Sequence, residues 1–228
     1  MLYYILFSSE LTAQEAVVIF LITIVAFFVS LSVHEFAHGF TAVKMGDPTP
    51  KLAGRVTLNP FKHISLSGLI CFALLGVGWA KPMPINPLNF KKYRKGIRLT
   101  SIAGILANFI LGLICAIIFA LIIAFAPVSN VYIEYILLTL QYFMLVNSFL
   151  ALFNILPIYP LDGFNFVTSF MKADNKFIQY NVRNGFKILL GILLATVLID
   201  LLFGFDILDF YLSLIYNYIY MPIGLLGV

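Results

Sequence analysis

The stretch that decides the fold is FFVSLSVHEFAHGFTAV, residues 27–43. It has the apolar character of a membrane helix, yet His34, Glu35 and His38 sit in its middle. Titratable groups are expensive in hydrocarbon and rare there without a function. The two histidines stand at i and i+4, which places them on one helix face, about 6 Å apart along the axis. Imidazoles at that spacing can hold one tetrahedral metal, with the glutamate beside it. Packed histidines with a stray acid are the plain alternative. That alternative suits a soluble helix better than a membrane helix, where an unpaired carboxylate is strongly penalised.

Composition supports the membrane setting. Of 228 residues, 62% are hydrophobic and 11% charged, with a mean hydropathy of +1.02. A soluble domain of this size cannot hide that much apolar surface, so the chain reads as an integral membrane protein with the lipid bilayer as its partner. The net charge of +4 does not mark a nucleic-acid binder, because its distribution follows membrane topology instead. All 14 Lys and Arg fall in two blocks, Lys44 to Arg98 and Lys172 to Lys187. The positive-inside rule puts both on the cytoplasmic side. Glu10, Glu15, Glu134, Asp200, Asp206 and Asp209 lie near the opposite ends of apolar segments, and Asp47 and Asp174 lie among the basic loops. Glu35 and Asp162 remain as acids embedded in apolar sequence. Cys71 and Cys115 lack metal-type spacing and read as packing residues.

The pattern predicts an all-α membrane protein with about five to six transmembrane helices, a cytoplasmic-side re-entrant segment and a small β-hairpin. The first helix is expected from Ala13 to Lys44, starting outside. The N-terminus has no basic n-region and is expected to be a retained helix rather than a cleaved signal. LSGLICFALLGVGWA, residues 66–80, is too short to span and has basic flanks, so it is expected to dip in from the cytoplasmic side and return. KPMPINP, residues 81–87, alternates with proline and favours extended chain lining a cavity. Further helices are expected at Leu99–Phe125, Val131–Leu156 and Phe186–Phe203, with a short final apolar run at Ile207–Ile219. Connecting loops leave no room for an inserted soluble module, so residues 1–228 read as one transmembrane domain.

Lys44 marks the interface, and His38 and His34 lie six and ten residues above it. At 1.5 Å per residue they sit roughly 9–15 Å deep, in the cytoplasmic half. A catalytic zinc takes three protein ligands and one open position. His63, in a basic loop beside Lys62, reads as an interfacial or structural histidine. Asp162, in LPIYPLDGFNF, is the better third ligand, with Gly163 letting the chain turn next to it. A helix N-cap is its plain alternative role.

The segments HEFAH, GWAKPMPIN, SIAGILANF and NILPIYPLDG, in that order, resemble the site-2 protease family of intramembrane zinc metalloproteases, in its small type without a peptide-binding domain. The resemblance covers about residues 15–185. It implies one Zn²⁺ per chain on His34, His38 and Asp162, with Glu35 as catalytic acid/base. It also implies that the hairpin-like KPMPIN segment (Pro82, Met83, Pro84) borders the substrate cleft. Ile105 after Gly104, and Ser65 after KHI, depart from the residues many relatives carry there.

The expected chemistry is zinc-assisted peptide hydrolysis, with Glu35 moving the proton. Asn154 is expected to help catalysis by a hydrogen bond to the oxyanion, and Asn108 is placed at the cleft with an interhelical hydrogen bond as its alternative role. Water must reach the metal by a polar channel from the cytoplasm, and a substrate helix must unwind beside KPMPIN. The expected substrates are transmembrane segments of other proteins, including membrane-tethered regulators, and the expected home is a bacterial plasma membrane. A metal transporter using the same ligands and an inactive scaffold relative are the alternatives. The sequence leaves the oligomeric state open.

Overall fold

The computed structural model describes residues 12–75, 78–126 and 130–203. Helix α1 runs from Ala13 to Met45, opened by a Thr12–Glu15 capping box and closed by Gly46 at φ 112°. A single turn, α2, follows at Thr49–Leu52, and α3 spans Leu66–Leu75. Next come α4, Tyr93–Phe125, and α5, Val131–Asn154. The short α6 covers Asp162–Thr168, and α7 covers Lys176–Phe203. Short 3₁₀ turns occur at Pro60–Lys62 and Pro87–Asn89.

Among the described residues, four helices are long and apolar enough to cross a membrane: α1, α4, α5 and α7. The expected final span, Ile207–Ile219, and residues 1–11 lie outside the described residues. Two helices begin earlier than their apolar runs. The basic stretch KKYRKGIR is largely the first turns of α4, and much of the Lys172–Lys187 block is the start of α7. Lys and Arg are good helix formers and reach water from a helix end, so charge marks the membrane surface here without breaking the helix.

Helices α1, α4 and α5 pack against one another, and α6 lies on α4. Lipid tails give apolar helices no hydrophobic reason to associate, so close backbone approach and polar contacts must do it. On α4 the buried positions Gly96, Thr100, Gly104, Asn108, Gly112, Ala116 and Ala120 recur every fourth residue, forming a stripe of small and polar groups. Helix α1 meets it with Ala26, Ser30, His34, His38 and Ala42, all buried. Phe27, Phe28 and Leu31 of α1 form a second cluster with Phe72 of α3 and Leu150 of α5. The outward faces carry Leu106, Phe109, Ile110, Ile117 and Leu121 on α4. On α7 they carry Leu190, Leu194, Leu198 and Leu201. Such continuous apolar surface is the signature of contact with lipid.

Helix α3 has 10 residues, about 15 Å of rise, half of what a span requires. The two ends of its segment meet: Ile64 and Ala80 form an isolated antiparallel bridge, and the Lys81 amide donates to the His63 carbonyl at 2.7 Å. The expected β-hairpin is reduced to this bridge, and no strand occurs among the described residues. Prolines 82, 84 and 87 explain the difference, since each removes a donor that a ladder would need. The segment Lys81–Asn86 is irregular chain without helix or strand.

Asp47 anchors that segment. Its fully buried carboxylate accepts from the Thr49 amide at 3.1 Å and hydroxyl at 2.5 Å. It also accepts from the Asn86 amide at 2.7 Å and the Asn89 side chain at 2.8 Å. Burial alone would push this carboxyl up, but the hydrogen bonds outweigh it and hold the group below the ordinary carboxylate value. The stability it contributes is therefore present above the unfolded pKa and is lost as pH falls through the depressed folded value. Asp47→Ala is expected to cost about 2 kcal/mol of local stability. The readout is faster amide hydrogen exchange across residues 82–90, and acidification of the parent protein below the ordinary carboxylate range should produce the same acceleration.

Candidate metal centre

The helical spacing of His34 and His38 turns both rings toward α4, and the turn after α5 brings Asp162 to meet them. The Nε2 atoms of His34 and His38 lie 2.9 Å apart. Asp162 Oδ2 lies 3.1 Å from the first and 3.0 Å from the second. Ligand atoms around a tetrahedral zinc, with bonds of about 2.0–2.1 Å, are about 3.3 Å apart. The triangle is within a few tenths of an ångström of that, and Asp162 Oδ2 is buried without a hydrogen-bond partner. These three residues form the metal-capable cluster among the described residues.

The outer nitrogens of the two rings fix which nitrogen faces inward. His38 Nδ1 is 2.7 Å from the Thr100 carbonyl oxygen, which can only accept, so Nδ1 carries the proton and Nε2 is left with a free lone pair. His34 Nδ1 is 2.6 Å from Asn108 Oδ1. The Asn108 amide nitrogen donates to the Ser30 carbonyl at 3.1 Å, so Oδ1 must face His34 and accept its proton. Both imidazoles are thus held as metal-binding tautomers by protein acceptors, the arrangement usual for ligating histidines.

Two glycines allow these approaches. A Cβ at Gly104 would collide with His38 Nε2 and would lie 2.6 Å from His34 Cε1. The rings therefore rest on bare α4 backbone. A Cβ at Gly163 would collide with the Ile155 carbonyl, where α6 backs onto the end of α5. Gly163 has no positive φ, so close approach and not turn geometry requires it. Asp162 is the first residue of α6, whose N-cap is Leu161, so the alternative role of Asp162 as N-cap is not the one observed.

Glu35 lines the cavity beside the triad, with Oε2 buried and unpartnered. The cavity measures about 730 Å³ and runs from the triad past Pro82 and Met83 to Tyr93 and Arg94 at the basic end of α4. Asn154 also lines it, with its amide nitrogen on the Leu150 carbonyl at 2.9 Å. Pro84 does not line it. Asn108, expected at the cleft, is fully buried behind His34 and absent from the cavity wall. His63 is nearly fully buried, with Nε2 donating to the Thr57 carbonyl at 2.8 Å, so it serves the fold of its loop. Asn147 was not anticipated, though an amide in the middle of the apolar run MLVNSFL is the kind of signal that marks a polar partner.

The chain matches Peptidase family M50 over residues 22–198. It belongs to that family, the site-2 protease family. A Bacillus subtilis (strain 168) relative named "Putative zinc metalloprotease YwhC" is 39% identical over 149 residues, 63% of this chain and 66% of that protein. "Putative zinc metalloprotease Rip2" of Mycolicibacterium smegmatis is 35% identical over 101 residues, 42% of this chain and 39% of that protein. The chain therefore spans just under two thirds of the first relative's length and much less of the second's. No solved structure matches it significantly.

Membership of the family does not by itself explain Gly104, whose neighbours here do. Gly104→Ala alters no ligand, yet it should weaken metal binding about 10-fold or more by displacing both rings. Chelator competition on the purified protein measures this. Gly191→Ala, where nothing lies within 4 Å of the added atom, should leave the affinity unchanged.

Proposed function

We propose that this chain is a membrane-embedded zinc endopeptidase that cuts peptide bonds within or near transmembrane segments of other membrane proteins. The observation that carries this reading is the His34–His38–Asp162 triangle, formed where α1, a helix of membrane-spanning length, meets the start of the short α6, and opening into a cavity lined by Glu35, whose Oε2 has no hydrogen-bond partner. The relatives' names and the nitrogen and oxygen donor set both favour zinc. Held there, zinc supplies Lewis-acid chemistry: it lowers the pKa of water toward neutrality and polarises a carbonyl.

The chain's own residues supply the rest. Glu35 takes the proton from the attacking water and returns it to the leaving amine, which a buried carboxylate without another partner is placed to do. One N–H of Asn154 is occupied by Leu150, and its other N–H is available to a substrate carbonyl or the developing oxyanion. The cavity gives water a path from the basic end of α4. Pro82 and Met83 form a wall along which an unwound substrate can lie extended. The positive-inside rule puts that basic end, and the metal site with it, on the cytoplasmic side, with α1 starting outside and α3 dipping into the bilayer. A bacterial plasma membrane and membrane-tethered regulators as substrates fit this orientation.

Glu35→Gln is the direct test. Cleavage of a transmembrane substrate in proteoliposomes should fall roughly a hundred- to ten-thousand-fold, while zinc content stays at the parent level. Undiminished cleavage would remove Glu35 from the chemistry, and zinc transport by the parent without any cleavage would overturn the protease reading. Asp162→Asn should lower zinc occupancy in the same preparation.

A further inference from the structure

Behind the metal centre, three helices meet at a point that touches neither substrate cavity nor solvent. Ser30 of α1, Asn108 of α4 and Asn147 of α5 are each 0% exposed. Every side-chain N–H of the two asparagines has an acceptor. The Asn147 side-chain nitrogen donates to the Phe143 carbonyl and to the Ser30 hydroxyl, each at 2.8 Å. This orients Asn147 Oδ1 toward α4, where it accepts from the Asn108 side-chain nitrogen at 2.8 Å. Asn108 spends its other N–H on the Ser30 carbonyl at 3.1 Å. Only its oxygen remains for His34 Nδ1, at 2.6 Å.

We infer that Asn147 is a positioning residue for the metal centre, acting through Asn108 to hold His34 in the tautomer that presents a bare Nε2 to zinc. The inference rests on the zinc reading above and deepens it. The geometry carries it through the alternative it excludes. Rotating the Asn108 amide by half a turn would set its oxygen against the Ser30 carbonyl and Asn147 Oδ1, two acceptors facing an acceptor. It would also offer N–H to His34 Nδ1, which could then accept only with the imidazole proton moved to Nε2. A histidine protonated at Nε2 has no lone pair there for a metal. Asn147 supplies one of the two acceptors that forbid this rotation. Without it, one Asn108 N–H is buried and unpaired, and the orientation is held by the Ser30 carbonyl alone.

The test is a double-mutant cycle on zinc affinity, measured by chelator competition on the full chain in nanodiscs, with the absorption spectrum of the Co²⁺-substituted protein as a second readout. Asn147→Leu keeps the branched shape and removes the amide. It should weaken zinc binding about 10-fold, within the range seen when groups supporting metal ligands are removed, and should alter the Co²⁺ ligand-field bands. Combined with Asn108→Ala, it should cost nothing beyond Asn108→Ala alone, because the pathway is already cut. Ser30→Ala, a milder change to the same cluster, should give a smaller loss that likewise vanishes in the Asn108→Ala background. Parent-like zinc affinity and spectrum in Asn147→Leu, or losses that add to Asn108→Ala, would overturn the inference while leaving the protease reading intact. A parent protein that takes up no zinc would overturn both.

Discussion

Two imidazole rings lie against the bare backbone of α4 at Gly104, and the metal centre depends on that approach. The helix α1 spacing puts the rings on one face, but spacing alone does not aim them. Aim comes from what their outer nitrogens meet on α4: the Thr100 carbonyl for His38 and the Asn108 side chain for His34. Both partners are reachable only because the position between them carries no side chain. The same close approach continues along the four-residue repeat of small and polar positions on α4. Site geometry and helix association are thus one packing problem, solved on one helix face.

The bilayer sharpens the consequences. A charged or polar group facing hydrocarbon is penalised, and one that is buried needs every partner. The Ser30–Asn108–Asn147 cluster gives every side-chain N–H of its two asparagines an acceptor, on the side of the centre away from the cavity. On the cavity side, Asp162 Oδ2 faces only the two inward ring nitrogens, and Glu35 Oε2 has no hydrogen-bond partner. An acid at such a place without a hydrogen-bond partner marks chemistry, since a purely structural arrangement would have satisfied or removed it. The division is physical: the inner wall is rigid and hydrogen-bonded, and the outer wall is open and reactive.

Much of this was readable in the chain of residues, and the losses have identifiable causes. His34, His38 and Asp162 announced themselves because few titratable groups sit in apolar sequence, and the structure brings all three within about 3 Å of one another. The helices start at Tyr93 and Lys176, before the apolar runs expected to form them, because basic residues that read as loop form the helices' emergent ends. Of the two roles open to Asn108, cleft residue and interhelical hydrogen bond, the structure shows the second; a sequence shows that a polar residue is at depth but not which way its helix faces. Asn147 escaped for the complementary reason: its role exists only through residues 39 and 117 positions away in the chain. The proline alternation in KPMPIN indicates a non-helical stretch, as observed, but the same prolines prevent the hairpin pairing the sequence suggests.

The central claim is that His34, His38 and Asp162 bind one metal through Nε2, Nε2 and a carboxylate oxygen. X-ray absorption at the zinc edge of the full chain in lipid nanodiscs tests it most directly. The account predicts nitrogen and oxygen neighbours at about 2.0–2.1 Å with the outer scattering of two imidazoles, and no sulfur. A sulfur neighbour near 2.3 Å, implicating Cys71 or Cys115, or the scattering of fewer than two imidazoles, would contradict it.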